Sequence, residues 1–120
     1  MSTLFDFLPI GAYRSTESGR MLHANAALVR LNGYEREEDL LSGVNDIGQE
    51  WYVDPQRRSQ FQALLERDGQ VVDFVSEVYW HQTRVRGWIR ENAHVVRDSG
   101  GKVQFYEGTI EDITAAYLAH

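Results

Sequence analysis

The sequence contains no cysteine. That absence excludes disulfides, thiolate zinc sites, cysteine nucleophiles and any flavin or chromophore held through a cysteine sulfur. Proline is scarce, with 2 residues, and the 10 glycines act as punctuation between segments instead of forming tracts, so no linker, repeat or low-complexity segment divides the chain. No stretch approaches the roughly 18 consecutive apolar residues that a membrane-spanning helix needs. The opening Met1-Ser2-Thr3-Leu4-Phe5-Asp6 has no cationic region before an apolar run. The segment is therefore expected to be soluble, without membrane contact, and cytoplasmic. Basic residues are in the minority, 12 Lys+Arg against 18 Asp+Glu for a formal net charge of −6, and they are scattered. A phosphate-tracking surface needs them clustered, so no nucleic-acid partner is expected.

Histidines number 4, namely His23, His81, His94 and His120. They form no i, i+4 pair on a helix and no His-x-His, so no metal site is expected, and each reads as a surface or sheet-edge imidazole. Ser15, Ser18, Ser42, Ser59, Ser76 and Ser99 lie in no nucleophile-elbow context. Gly100-Gly101 sits between two strand-like segments, whereas a phosphate cradle needs a helix N-terminus there. No catalytic residue is expected.

What is present is one domain: 120 residues, 42% hydrophobic and 12% aromatic, enough to bury roughly two thirds of the unfolded surface. Leu4, Phe5, Phe7 and Leu8 form an apolar patch before Pro9, read as a brief helix or strap. Gly11–Thr16 and Arg20–Ala24 flank Glu17-Ser18-Gly19 and read as a hairpin. Asn25 is placed to cap a helix carrying Leu28, Val29 and Leu31 that closes at Gly33. Glu35–Leu41 reads as a second short helix, and Asp46 as the cap of a third with Ile47 and Trp51 on one face. Asp54-Pro55 reads as a cap followed by proline at the first helical position. It opens a long helix with Phe61, Leu64 and Leu65 inward that ends before Gly69. Val71–Trp80, Trp88–Val96 and Val103–Ile113, separated by Gly87 and by Asp98-Ser99-Gly100-Gly101, are rich in Val, Ile, Phe, Tyr and Trp and read as three antiparallel strands. The order strand-strand-helices-strand-strand-strand predicts an α+β domain, a five-stranded antiparallel sheet with helices packed on one face.

Several segments, in this order, resemble the PAS domain, a small sensory module of bacterial signalling proteins. Gly11–Thr16 resembles its opening strand and Gly19–Asn25 its second strand with the Asn that begins the next helix. Leu28–Tyr34 is similar to the helix ending in Leu-x-Gly-Tyr, and Tyr52–Arg58 to the entry of the long helix. Glu91-Asn92-Ala93 resembles the fourth strand, and Tyr106–Thr114 the last strand with its terminal Asp-Ile-Thr. One departure is that His81–Gly87 stands where the family usually has an Asp-Gly hairpin. The resemblance implies a PAS domain over 11–114, an N-terminal cap segment over 1–10, and the start of a C-terminal output helix over 115–120. It further implies a non-enzymatic sensor that regulates a downstream signalling enzyme such as a histidine kinase or diguanylate cyclase, with Asp112 and Thr114 in signal output; the competing reading is that these two residues merely cap the exit helix. The cofactor is unknown. A haem held by a histidine of the long helix is not expected, because 55–68 contains none.

Alternation on the strands adds a candidate site. If Ile89, Ala93 and Val95 face the helices, so does Glu91. A carboxyl group there is protonated, hydrogen-bonded, or presented to a ligand; the competing reading pairs it with an arginine or sets it at a wet sheet edge. The same period sends Phe74, Ser76 and Val78, Tyr106, Gly108 and Ile110, and Tyr13 and Ser15 inward. Leu28, Ile47, Trp51, Phe61 and Leu65 stand opposite. Apolar walls with a few polar groups suit a small-molecule ligand, although most of these residues serve as core first. On the other face, Val103 and Phe105 are expected beside Trp88 and Val96, covered by the N-terminal segment or by a second protomer. A homodimer burying Phe5, Leu8 and Phe105 is expected. Two rivals are a ligand-free dimerisation scaffold and a small ketosteroid isomerase-like enzyme, the latter disfavoured because that class begins with long helices.

Overall fold

The computed structural model describes residues 4–119; the expectations for Met1–Thr3 and His120 lie outside them. Helix α1 spans Leu4–Phe7, and strands β1 (Gly11–Ser15) and β2 (Met21–Ala24) form the first hairpin. Four helices follow, α2 (Ala26–Leu31), α3 (Glu37–Gly43), α4 (Ile47–Glu50) and α5 (Arg57–Asp68). The chain then returns through β3 (Gln70–Tyr79), β4 (Arg86–Arg97) and β5 (Val103–Asp112) before α6 (Thr114–Leu118). The sheet order is β2-β1-β5-β4-β3, and every neighbouring pair is antiparallel. Strand β5 therefore lies in the middle, joining the opening hairpin to the closing one.

Local chemistry explains the main boundaries. Asn25 caps α2 through Leu28 N, and its side chain does more: Oδ1 also accepts from Ala12 N at 2.9 Å, while Nδ2 donates to Phe5 O and Ile10 O at 3.0 Å each. One buried amide thus ties the N-terminal segment, β1 and α2 together. Asp46 caps α4 by accepting from Gly48 N and Gln49 N. Helix α5 ends at Gly69, whose φ of +74° is the left-handed cap that glycine adopts at least cost. Helices α2 to α5 pack on one sheet face, with Leu28, Leu40, Ile47, Phe61 and Leu65 buried. The short terminal helices touch the other face: Phe5 lies over the Arg14 guanidinium, and Tyr117 stacks on Trp88 at 3.9 Å.

Three expectations need correction. Asp54-Pro55 does not start the long helix; Asp54 accepts from Gln56 N and Arg57 N in a preceding turn, and α5 begins at Arg57. Gly87 does not separate strands but lies within β4, because the Trp80 indole occupies the space a Cβ would need, 2.5 Å from its nitrogen. The turn is instead His81–Arg84, with Arg84 at φ +61°. Val103 packs with the helix-side core, not beside Phe105 on the outer face. The ladder pairs Val96 with Phe105 but Arg97 with Val103, so the extra residue Gln104 resets the alternation.

Candidate functional site

The buried apolar residues form two clusters. One gathers Tyr13, Leu28, Leu40, Ile47, Trp51, Tyr52, Val78, Trp80, Ile89 and Ile110; the other gathers Phe61, Leu65, Val71, Phe74, Ala93 and Tyr106 around α5. Buried polar groups, Ser15, Arg58, Ser76 and Glu91, lie with them in the interior. Glu91 is 2% exposed, on the inner face of β4 opposite Phe74 of β3 and Ile110 of β5. Tyr13 Oη donates to its Oε2, and Tyr52 Oη donates to its Oε1 at 2.9 Å. Tyr13 reaches this point from β1. Tyr52 is held in an isolated bridge to Val78 just before the turn into α5.

Burial, the largest influence on Glu91, raises its pKa, opposed by the two tyrosine hydroxyls and by Arg58 and Arg57. Burial also pushes both tyrosines well above the phenol's ordinary value, and the Glu91 charge pushes them further, so both stay protonated donors. Of the alternatives for a carboxyl group on this face, the structure shows hydrogen bonding, from two tyrosines. Beside the cluster is a cavity of about 20 Å³, room for a single water. Of the expected site residues, Tyr13, Leu28, Ile47, Trp51, Glu91 and Ile110 line it. Phe61, Leu65, Phe74, Val78, Ile89 and Tyr106 are buried in the two clusters but do not line it, and Ser15 and Ser76 are buried polar groups beyond its lining.

Sequence reasoning missed Tyr52, Asn32 and Arg58, which also line the cavity. Arg58 shared a readable signal, since it stands at i relative to Phe61 and Leu65 at i+3 and i+7, on the inward stripe of α5. His81, expected at the surface, is instead largely enclosed. Its ring stacks on Tyr34, Nδ1 lies 2.7 Å from Tyr34 Oη, and Nε2 lies 2.8 Å from Glu50 Oε1. These contacts fasten the β3–β4 hairpin to the loop after α2 and to α4. Among the described residues no group of three or more metal-ligating side chains comes together.

At the chain's exit, Asp112 Oδ1 accepts from Thr114 N at 3.0 Å, and Thr114 Oγ1 accepts from Trp88 N at 3.0 Å. On the outer face Phe5 and Phe105 flank the Arg14 guanidinium, which also pairs with Glu107 at 2.7 Å.

The sequence matches no protein-family model and no curated protein. Solved structures are similar in fold. A PAS domain from Colwellia psychrerythraea superposes with a TM-score of 0.78 at 18% identity, covering 92% of each chain. A domain of a sensory box sensor histidine kinase/response regulator from Geobacter sulfurreducens gives 0.69 at 19% identity, over 91% of this chain and 88% of the other. An RNA-binding light-oxygen-voltage receptor gives 0.73 at 19% identity over 94% of this chain, which spans only 32% of that structure. The fold is thus the PAS fold, as the sequence resemblance implied. Without cysteine no cysteine-linked flavin can form here. A cavity of about 20 Å³ does not fit a flavin ring, since drug-sized ligands occupy pockets of roughly 300 Å³ or more.

Proposed function

With the PAS fold as premise, we propose that this chain is the sensory input domain of a regulatory protein. It binds a small molecule in its interior and passes occupancy to a downstream signalling enzyme, a histidine kinase or a diguanylate cyclase. The observation that carries this reading is Glu91: an ionisable group on the inner face of a central strand, held by two tyrosines beside a cavity. Such a group contributes little to stability that a leucine could not, so its value lies in recognition. The ligand binds one arrangement of sheet and helices better than another and shifts the geometry at Asp112 and Thr114, where the chain leaves β5. The domain itself performs no chemistry. Titration with small polar molecules, followed by the thermal midpoint, tests this. A saturable rise that is lost in Glu91→Gln supports the reading, and no rise with any of them removes it.

A second reading, a scaffold that works through dimerisation, is favoured by α1. Its Leu4 and Phe7 are 77% and 73% exposed, next to the outer-face groove that Phe5, Leu8 and Val72 help line. We propose that a second copy covers this surface, with Phe5, Leu8 and Phe105 at its centre. Sedimentation of Leu8→Asp checks it: the wild type sediments as a dimer and the variant as a monomer, and indistinguishable profiles rule the dimer out.

A further inference from the structure

Arg57 and Arg58 are neighbours on α5 with opposite fates. Every nitrogen of Arg57 is engaged: Nε donates to Ser76 Oγ at 2.9 Å, Nη1 to Gln60 Oε1 at 2.7 Å and Nη2 to Val75 O at 2.7 Å. Arg58 is 7% exposed and lines the interior cavity. Its Nη2 donates to Thr16 O at 3.3 Å, but its Nε has no partner among the described residues. The neighbouring Ser15 Oγ, fully buried on the inner face of β1, also has none. A buried guanidinium N–H left unpaired is costly, and native interiors rarely keep one without a use for it.

The acceptor side of the same cavity is also incomplete. Glu91 takes one hydrogen bond on each oxygen, from Tyr13 and Tyr52, and a carboxylate has lone pairs for about four. Arg58, with one unpaired N–H, and Glu91, with carboxylate lone pairs unused, thus both line this cavity. Their charges are of opposite sign across one cavity, and the Arg58 charge, with that of Arg57, favours ionised Glu91. A charged ligand would leave a buried charge unbalanced, whereas a neutral one would not. Of the remaining walls, Leu28, Leu40, Val44, Ile47, Trp51 and Ile110 are apolar, and the amide of Asn32 is engaged at both ends, Oδ1 accepting from Trp51 Nε1 and His81 N while Nδ2 donates to Leu28 O. Met21 also lines the cavity and is only partly buried, so the unbranched side chain with three rotatable bonds sits between cavity and solvent.

Resting on the ligand-binding reading above, we infer that the interior site takes a small neutral molecule with a hydrogen-bond acceptor and donor on neighbouring atoms, a primary amide or lactam. Its carbonyl accepts from Arg58 Nε and its N–H donates to Glu91. Met21 swings aside to admit it, which enlarges a cavity that otherwise has room for one water. A carboxylic acid of the same size is rejected, because as an anion it meets Glu91. A hydrocarbon of the same size is rejected more mildly, because it leaves both polar groups unpaired.

Titration of the isotopically labelled chain with 2-pyrrolidinone, propionate and cyclopentane, monitored by NMR, tests the assignment. The expected result is saturable binding of 2-pyrrolidinone with movement of the Arg58 Nε–H resonance, about tenfold weaker binding of cyclopentane and weaker binding still of propionate, and about tenfold or greater loss of 2-pyrrolidinone affinity in Arg58→Lys. The wild-type Nε–H resonance reports directly, so the result stands even if Arg58→Lys folds poorly. Preferred binding of propionate or cyclopentane, or saturation by 2-pyrrolidinone with the Arg58 resonance unmoved, overturns the neutral-amide assignment and leaves the sensory reading in place. Absence of binding by all three overturns both.

Discussion

Replacing Glu91 by glutamine and by alanine separates the two things this group does. Glutamine keeps the shape. Its carbonyl oxygen still accepts from one tyrosine, and the other hydroxyl rotates to accept from the new amide. The buried charge disappears, and with it the desolvation that raises the Glu91 pKa. The expected cost at neutral pH is within about 1 kcal/mol of zero. Alanine leaves the Tyr13 and Tyr52 hydroxyls without an acceptor. Each orphaned hydroxyl costs about 1–3 kcal/mol, so a total of about 4 kcal/mol is expected. Against a typical stability of about 5–15 kcal/mol, that is a large fraction. The pH dependence has a definite sign. Because burial raises the folded-state pKa, the folded chain holds this proton at pH values where the unfolded chain has released it. Wild type therefore gains stability relative to Glu91→Gln as pH falls from the raised pKa towards the ordinary carboxylate value near 4.3, and the gain is complete below it. Urea unfolding followed by tryptophan fluorescence at several pH values between neutrality and 4 measures all three proteins. Equal destabilisation by glutamine and alanine, or a wild-type advantage that grows with rising pH, refutes the reasoning.

Asn25→Asp keeps both acceptor contacts but turns an oxygen towards the Phe5 and Ile10 carbonyls, where the amide donated. The expected loss is about 2–3 kcal/mol, with faster proteolysis before Gly11 than in wild type; cleavage at the wild-type rate would contradict the anchoring role. Gly108→Ala puts a methyl 2.6 Å from Asn92 O and 2.9 Å from Tyr13 Oη. Since the nearest atom is backbone of the adjacent strand, β4 and β5 must part. About 1–3 kcal/mol is lost and amide exchange rises along that pair, while unchanged exchange would rule the clash out.

The inner face was legible because a period of two needs no tertiary information. Tyr13, Ser15, Phe74, Ser76, Val78, Ile89, Glu91, Tyr106 and Ile110 are all buried, as alternation required. Alternation failed at Val103, where one residue of bulge reversed the faces, and nothing in the residue types around Gln104 announces it. Gly87 reads in the sequence as punctuation, although its role is steric, set by a tryptophan seven residues earlier. His81 could not be placed, because its partners are Tyr34 and Glu50, 47 and 31 residues away. Tyr52 escaped for the same reason, being an extended residue between helices whose hydroxyl finds Glu91 at a sequence separation of 39. The polar cluster is thus half local and half tertiary: alternation exposes Glu91, and only the closed fold supplies its partners.

The position of Glu91 along β4 also connects the interior with the chain's exit. Trp88, three residues earlier and about 10 Å along the strand, holds the exit by several contacts. Its carbonyl accepts from Ile113 N at 2.9 Å, its amide donates to Thr114 Oγ1 at 3.0 Å, and its indole stacks under Tyr117. On the opposite strand, Glu91 pairs with Ile110 and Ile89 with Asp112. A ligand that separates Glu91 from Tyr13 acts on the β1–β5–β4 ladder, since Tyr13 stands across β5 from Glu91. A strand in a close-packed sheet cannot shift at one residue and stay fixed three residues on without straining its hydrogen bonds. On the proposed function, then, Asp112 and Thr114 shape the turn, but Trp88 is where displacement inside reaches the departing helix. Mobility at Tyr117 should follow the state of Glu91 more closely than the state of the outer face.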